Sequence, residues 1–461
     1  MKKPTYFIIL CMLLCLIPSV GMLFFPTTRT SENRAMAEAP KLTAEDGSLN
    51  RAFFTDFESY FTEHMALRNE LVYADAQIQS KAFHESNVSG VICGSDGWLY
   101  YSSTLDDYLG RNILSERELY CLANNFSVVQ DYLQGQGIDF VLTIAPNKNT
   151  LYGEHMPYYQ SAVMDDRRNA QLLAPYLAQQ DVRYLDLFSL LDAQEEVLYC
   201  KLDSHWNNKG ALLVYDRLMD TLELPHEDYA SVTPTVFADR NGDLNRMLYS
   251  FYGPSEPNYD YGLTQNYAYA NDADDVEDRF IVTENPHGNG TLLMFRDSFA
   301  NTLIPFLSSE FATACYSKGE PNALEMYLQQ YQPDQVIIEK VERNITDYLL
   351  DPPILTAPKA ALPQRITIAD TDSTVTLEES PNDLRFYQLR GTVDAARLQT
   401  DSQVLVCVGE TVYRAYLTEE SEFMLYLPKA ALSGATADIR VYALQEDMGV
   451  QVLFTTLALP Q

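Results

Sequence analysis

Apolar positions along this chain fall into three regimes, and each predicts a different kind of structure. The first is an uncharged run of 20 residues from Tyr6 to Phe25, preceded by Lys2 and Lys3. At a helical rise of 1.5 Å per residue such a run spans roughly the 30 Å hydrocarbon core of a bilayer. The flanking lysines favour an inside amino terminus. The pattern therefore predicts a cytoplasmic tip and transmembrane signal anchor over residues 1–29, with the rest of the chain as an extracytoplasmic ectodomain. A cleaved signal peptide and a secreted product are the alternative, with Ala35-Met36-Ala37 as small residues of the right pattern. They lie about ten residues beyond the apolar run, farther than cleavage normally occurs. Residues 30–90 then predict a membrane-proximal helical segment. In it Phe53, Phe54, Phe57, Tyr60 and Phe61 recur at three- and four-residue intervals as one aromatic stripe that packs onto the main body.

From 91 to 350 helical and strand periods alternate. Ser115-x-x-Glu118 is a capping box that opens a helix with Leu119, Leu122, Phe126, Val129 and Leu133 on one face. Gly135 and Gly137 end it, and Ile138 to Ala145 is a buried strand stopped by Pro146. The scheme repeats with a helix face of Leu172, Leu173, Tyr176 and Leu177, a strand from Val182 to Leu187, and a helix through Leu212, Leu213, Leu218 and Leu222. Further strands are expected at 291–295, 312–316 and 335–339, with helices through Leu303–Leu307 and Leu324–Tyr331 between them. Alternation of this kind predicts an α/β domain with a mostly parallel sheet covered on both faces. Residues 250–290, rich in Tyr, Asn, Asp, Pro and Gly, predict a long surface loop lying over the site described below.

The third regime follows a proline-rich linker, 351–364. Short alternating strands at 365–368, 374–377, 385–389, 404–408, 411–417, 423–427, 438–444 and 450–457 predict a C-terminal β-sandwich-like domain over 365–461. No repeat of solenoid type is present.

Composition narrows the functional classes. A hydrophobic content of 46% with 12% aromatic residues belongs to a folded chain rather than a disordered one. The net charge of -32 without a clustered basic face excludes nucleic acid as a partner. The same charge disfavours an anionic polymer and suits a neutral or zwitterionic substrate. Cys11 and Cys15 lie in the apolar run, and Cys93, Cys121, Cys200, Cys315 and Cys407 are scattered singly. No Cys-x-x-Cys pair exists, so neither a zinc site nor a redox motif is expected.

Two short segments carry the chemistry: Asp203-Ser204-His205-Trp206 and Arg296-Asp297-Ser298-Phe299. The second leaves a buried strand where a helix begins, which puts Ser298 at the carboxyl edge of a sheet with backbone N–H groups able to face an oxyanion. A serine hydroxyl needs a base, and an imidazole oriented by a carboxylate is the usual one. Asp203 and His205 supply that half. A metal at these two residues is disfavoured, because no third ligand stands at useful spacing. The alternative roles are a core histidine at 205, a packing tryptophan at 206 and a helix-capping serine at 298. Asp297 either bonds backbone around the serine turn or caps the helix.

These segments resemble the DHHW family and its relatives among the alginate-acetylation proteins, which carry an SGNH-hydrolase-like domain. The resemblance rests on residues 202–211 and 297–301, supported by Ser31-Glu32-Asn33-Arg34, the segment 94–100, Pro146-Asn147-Lys148 with Tyr152, and Val341-Glu342-Arg343-Asn344. It covers residues 30 to about 345 and leaves out the C-terminal domain. It implies an SGNH-hydrolase-like three-layer fold over 91–350, no cofactor, and acetyl transfer to or removal from a cell-surface polysaccharide, with a membrane-embedded acyl donor protein as a further partner. Carried over residue by residue, it makes Ser298 the nucleophile, His205 the base and Asp203 its orienting carboxylate. Trp206, Asn301, Lys148, Tyr152 and Arg296 are the expected pocket residues. Ser204 departs from the second histidine of the family's name, and Arg296 stands where SGNH hydrolases usually have glycine. The position of Ser204 need not contact substrate, whereas Arg296 and the missing oxyanion glycine favour the competing function, a non-catalytic glycan-binding or assembly factor with a vestigial triad.

Overall fold

The computed structural model describes residues 3–28, 36–43, 47–319, 323–369, 371–432, 434–445 and 448–460. Ser31-Glu32-Asn33-Arg34 and Ala35 lie outside the described residues.

The capping box forms as expected. Ser115 Oγ accepts from Glu118 N at 3.1 Å while Ser115 N donates to Glu118 Oε2 at 2.7 Å, and the helix runs Glu116–Gln134. The chain then turns at Gly137, whose φ of 76° is one that side-chain-bearing residues adopt at a cost, and enters the strand Asp139–Ala145. That strand is one of seven. Their order across the sheet is Tyr184–Leu185, Asp139–Ala145, Gln335–Val341, Thr291–Phe295, Thr313–Ser317, Phe280–Glu284, Ala268–Tyr269. The first five pair in parallel, and Phe280–Glu284 joins antiparallel, so the sheet is mixed with a parallel majority. Thr291–Phe295 is the middle strand. Leu293 and Phe295 enter one apolar cluster and Leu292 and Met294 the other, which buries the strand on both faces. The residues that follow it must emerge at the centre of the carboxyl edge.

The segment 250–290 departs from a plain loop. It contains Glu256–Asp260, paired with Thr235–Arg240, the edge strand Ala268–Tyr269 and its neighbour in the sheet, Phe280–Glu284. Only the connections between them are irregular.

Beyond the linker two sheets form, one of five strands and one of four. The expected strand 411–417 is interrupted at Ala415, and its halves go to different sheets. Thr411–Arg414 pairs with Val404–Val408, whereas Tyr416–Leu417 pairs with Glu422–Pro428. The same apolar cluster that holds Leu122, Phe126 and Ile338 also holds Leu417, Phe423, Leu425 and Val441, so the helix Glu116–Gln134 packs on both parts. Asn125 completes that contact. Its Nδ2 donates to Leu417 O at 3.0 Å and its Oδ1 accepts from Leu417 N at 2.8 Å.

The apolar amino-terminal run is a correction to the expected membrane span. Its helix, Lys3–Gly21, contains Pro18 and stops short of Phe25. The last turn folds back onto the 64–66 corner, where Ala66 N donates to Pro18 O and Thr27 N to His64 O. Among the described residues no helix is long and apolar enough to cross a membrane.

Candidate active site

The base arrives on a tight hairpin. Cys200 N donates to His205 O at 3.1 Å and Asn207 N to Leu198 O at 2.8 Å, with Tyr199 and Trp206 bridged between them. The tip of this hairpin carries Asp203, Ser204 and His205. Lys148 sits inside it, with Nζ donating to the carbonyls of Cys200, Lys201 and Asp203 at 3.0, 3.1 and 2.6 Å. Burial lowers the Lys148 pKa to about 8, against the pull of Asp203 and Asp243.

The nucleophile follows the middle strand. Asp297 anchors the turn: Oδ1 accepts from Phe299 N at 2.8 Å and Oδ2 from Val341 N at 2.7 Å. Both roles expected of Asp297 are therefore filled at once. Asp297 N in turn donates to Glu339 Oε2 at 3.0 Å. Glu339 is buried beneath the turn, and burial together with the Asp297 charge pushes its carboxyl well above the usual range. Ser298 opens a short 3-10 turn, Ser298–Thr302, that leads into the helix Ile304–Glu310. The sequence predicted several helix-start N–H groups facing the reacting carbonyl. Phe299 N is instead committed to Asp297.

The two halves meet. His205 Nε2 lies 2.7 Å from Ser298 Oγ, and His205 Nδ1 lies 2.6 Å from Asp203 Oδ1. Burial by itself would raise the Asp203 carboxyl, but the His205 bond and charge and the Arg240 charge hold it below the usual carboxylate range. Burial by itself would lower His205, yet Asp203, Asp243 and Asp297 raise it above the ordinary value. Ser298 and His205 remain partly open to solvent.

The expected pocket residues brace this centre instead of lining it. Trp206 is fully buried and donates Nε1 to Thr302 Oγ1 at 2.7 Å, with its ring edge-on to Phe299 at 5.0 Å. Tyr152 accepts from Leu198 N at 2.9 Å through its hydroxyl and stacks on Trp98. Arg296 is 4% exposed and reaches Asn301 Oδ1 and the carbonyls of Asp297, Val276 and Asp278. Asn301 is buried as its partner. Lys148 is sealed under the hairpin.

One participant escaped the sequence reading. Asp243 accepts from Ser204 N at 2.8 Å and from Ser204 Oγ at 2.5 Å, donates its own N–H to Asp203 Oδ2 at 3.2 Å, and brings Oδ2 to 3.8 Å from His205 Nδ1. Gly242 permits this approach, because a Cβ there would stand 2.3 Å from Leu202 O and 2.7 Å from the Asp203 Cβ. Asp243 also supplies the third ligand-type group that the spacing lacked: with Asp203 and His205, its ligand atoms lie within 4.8 Å of one another. Their donors and acceptors are already matched to one another and to Arg240 Nη2, 3.5 Å from Asp203 Oδ2, which suits a hydrogen-bond network better than a cation.

Comparison with known proteins agrees with the family resemblance read from the sequence. Residues 91–288 match the family model described as an SGNH hydrolase-like domain, acetyltransferase AlgX; the match includes Asp203 and His205 and ends before Ser298. Two curated relatives are each named probable alginate O-acetylase AlgJ. The one from Pseudomonas aeruginosa is 28% identical over 189 residues, 40% of this chain and 44% of that protein. The one from Pseudomonas syringae pv. tomato is 27% identical over 216 residues, 45% and 53% respectively. The chain thus spans about half the length of the curated relatives it matches. Among solved structures, Bacillus cereus PatB1 aligns with a TM-score of 0.44 at 19% identity over 55% of this chain and 96% of that one. A DHHW family protein from Eubacterium siraeum aligns at 0.39 and 15%, over 49% and 85%. The O-acetyltransferase domain of Pseudomonas putida AlgJ aligns at 0.38 and 20%, over 56% and 92%.

Proposed function

We propose that this chain transfers an acyl group, acetyl foremost, to or from a polysaccharide on the extracytoplasmic side, through an ester on Ser298. The observation that carries the reading is the continuous bond path Asp203–His205–Ser298, with separations of 2.6 and 2.7 Å. The similarity to proteins named probable alginate O-acetylase supports the acetyl group and the polysaccharide.

His205 Nε2 takes the Ser298 proton as Oγ attacks the acyl carbonyl. Asp203 holds the imidazole in the tautomer that leaves Nε2 free, and its charge stabilises the imidazolium that forms. The N–H of Ser298 itself is our candidate donor to the oxyanion, since Phe299 N is bonded to Asp297 Oδ1. The imidazolium returns the proton to the leaving group. A sugar hydroxyl, deprotonated by the same His205, then attacks the ester and restores Ser298; water in its place gives hydrolysis. A membrane-embedded acyl donor protein is the partner that the resemblance suggests for the first half-reaction.

The test is turnover of an activated acetyl ester by the purified chain, beside Ser298→Ala and His205→Ala. Wild type should turn over and carry an acetyl-sized mass increase on the Ser298 peptide after rapid quenching. Both variants should fall by about a thousandfold or more, the scale of losing a triad member. Equal turnover in all three would remove the triad.

A further inference from the structure

The helix Arg68–Ile78 continues as a wider turn over Gln79–Phe83 and lies against the hairpin Val91–Cys93/Leu99–Tyr101 and the helix Asp243–Tyr249. Ala76, Val91, Leu99, Leu244 and Leu248 join these elements in one small apolar cluster. Beside that cluster lies a cavity of about 810 Å³. Sites that take small ligands hold about 300–1,000 Å³. Lys81, Asp96 and Tyr252 line the cavity and are exposed, so they mark its rim. Ser298 and His205 are not among the lining residues, which sets this cavity apart from the reacting atoms.

Its walls combine fixed aromatic rings with polar side chains. The Tyr73 ring meets Tyr249 edge-on at 6.1 Å and Tyr252 at 5.5 Å. Tyr249 donates its hydroxyl to Ser80 Oγ at 2.9 Å and Tyr252 to Glu70 Oε1 at 2.7 Å, which holds both rings in place. Ser95 Oγ and Asp96 Oδ2 stand 3.1 and 3.4 Å from His155 Nδ1, and this ties down the turn Ser95–Gly97. Gln77 is half-buried in the wall, and among the described residues its amide has no hydrogen-bond partner. Trp98, also in the wall, keeps its Nε1 buried and unpartnered. Polar groups left open in this way are of the kind that a ligand or an ordered water completes.

We infer that this cavity binds pyranose units of the glycan, as a subsite beside the catalytic hairpin. The inference rests on the polysaccharide substrate of the reading above and adds the place where that chain is held. A pyranose has a C–H face that packs on a phenol ring and a rim of hydroxyls that needs donors and acceptors. An acyl chain would instead leave Gln77, Ser80, Ser95 and Asp96 against methylenes. Rings fixed before binding lose little freedom when a sugar arrives. Leu202 belongs to the wall and directly precedes Asp203. Its N–H donates to Glu256 Oε1 at 3.2 Å and its carbonyl accepts from Asn245 N at 2.9 Å. The subsite and the carboxylate that orients His205 therefore share one loop tip.

The experiment titrates trisaccharides into the full chain carrying Ser298→Ala, so that binding is read by calorimetry without chemistry. The probes are a β-linked glucose trimer, an N-acetylglucosamine trimer and a uronic-acid trimer, with decanoate as the apolar control. At least one trisaccharide should bind. Its affinity should fall about tenfold in Tyr252→Ala and about fivefold in Gln77→Ala, and stay within about threefold in Tyr252→Phe, which keeps the ring. Urea midpoints of the three variants check that each remains folded, and Tyr252→Phe separates loss of the ring from loss of the fold. Failure of all three trisaccharides to bind, affinities that the two alanine variants leave unmoved, or binding of decanoate in place of the sugars overturns the inference. With Ser298 restored, transfer from an activated acetyl ester to the bound trisaccharide is read by mass spectrometry. Binding that depends on Tyr252 and Gln77 without any transfer would sink the acyl-transfer reading and leave the subsite standing. Transfer with a trisaccharide KM that neither alanine variant moves would sink the subsite and leave the acyl-transfer reading.

Discussion

Trp206 Nε1 and Thr302 Oγ1, 2.7 Å apart, join the loop that carries the base to the turn that carries the nucleophile. Among the described residues no backbone–backbone hydrogen bond spans these two elements, so the His205–Ser298 separation depends on this contact and on the edge-on packing of Trp206 and His205 against Phe299. Trp206→Phe keeps an aromatic ring and loses the donor, and Thr302→Val loses the acceptor. Each is expected to lower kcat/KM for an activated acetyl ester about five- to tenfold, the scale of one hydrogen bond. The double variant should be scarcely worse than either single one, because both remove the same bond. Additive losses would show that the two side chains act separately.

Lys148 gives the hairpin its shape from within. Lys148→Met preserves the length of the stem and removes the ammonium, leaving the carbonyls of Cys200, Lys201 and Asp203 without their common donor. Losing the donor for three acceptors destabilises the fold, while relief from burying a cation offsets part of that. The expected net loss is about 2–4 kcal/mol, read as a lower urea midpoint at unchanged slope. Ester turnover should fall as well, since the Asp203 carbonyl is one of the three. Unchanged stability would mean that water replaces the ammonium without cost.

The β/α alternation, the capping box at Ser115 and the strand before Ser298 were legible because each is written in local periodicity. The meeting of His205 with Ser298 was legible for another reason: a serine at a strand exit and an Asp-x-His pair are complementary halves of one reaction. What stayed hidden depends on direction and on tertiary pairing. Lys148, Tyr152, Trp206, Arg296 and Asn301 have residue types suited to a pocket, yet their side chains turn inward, and spacing carries no information about that. Asp243 follows Asn241-Gly242, a turn signal whose role as the close-approach point to Leu202 and Asp203 emerges only in three dimensions. Residues 256–260 and 268–269 form strands despite their Pro, Asn and Tyr content, because edge and ribbon strands are partly solvated and need no apolar run. Helix Lys3–Gly21 ends four residues early, where its backbone finds partners in the 64–66 corner.

Asp243 makes the pH dependence of the site a test of the network. Four carboxylates surround the imidazole: Asp203, Asp243 and Asp297 raise the His205 pKa above its ordinary value, and Glu277 interacts with the same ring across the site. His205 acts as a base only when neutral, so activity should rise with pH through a midpoint above the usual histidine value. Asp243→Asn retains a side chain able to bond Ser204 and removes one negative charge. The rising limb of the kcat/KM profile should therefore move to lower pH. A change in rate with an unmoved midpoint would assign Asp243 to holding Ser204 alone.

Glu342 links pH to stability at the same edge of the sheet. Its Oε2 accepts from Asn147 N at 2.9 Å and Thr150 Oγ1 at 2.7 Å, which fixes the turn that leads to Lys148. Burial pushes its carboxyl up to about 7, from an ordinary 4.5. A folded-state value above the unfolded one means that the unfolded chain gives up this proton first as pH rises. The stability that the protonated form contributes is thus complete below about pH 4.5 and is lost progressively up to and through about pH 7. The whole shift corresponds to something on the order of 3 kcal/mol. Glu342→Gln keeps the shape and cannot ionise. Its urea midpoint should exceed that of wild type at pH 8, fall level with it near pH 4, and vary less between the two. Parallel pH profiles for the two proteins would show that Glu342 stays charged in the fold and that its two donors outweigh burial.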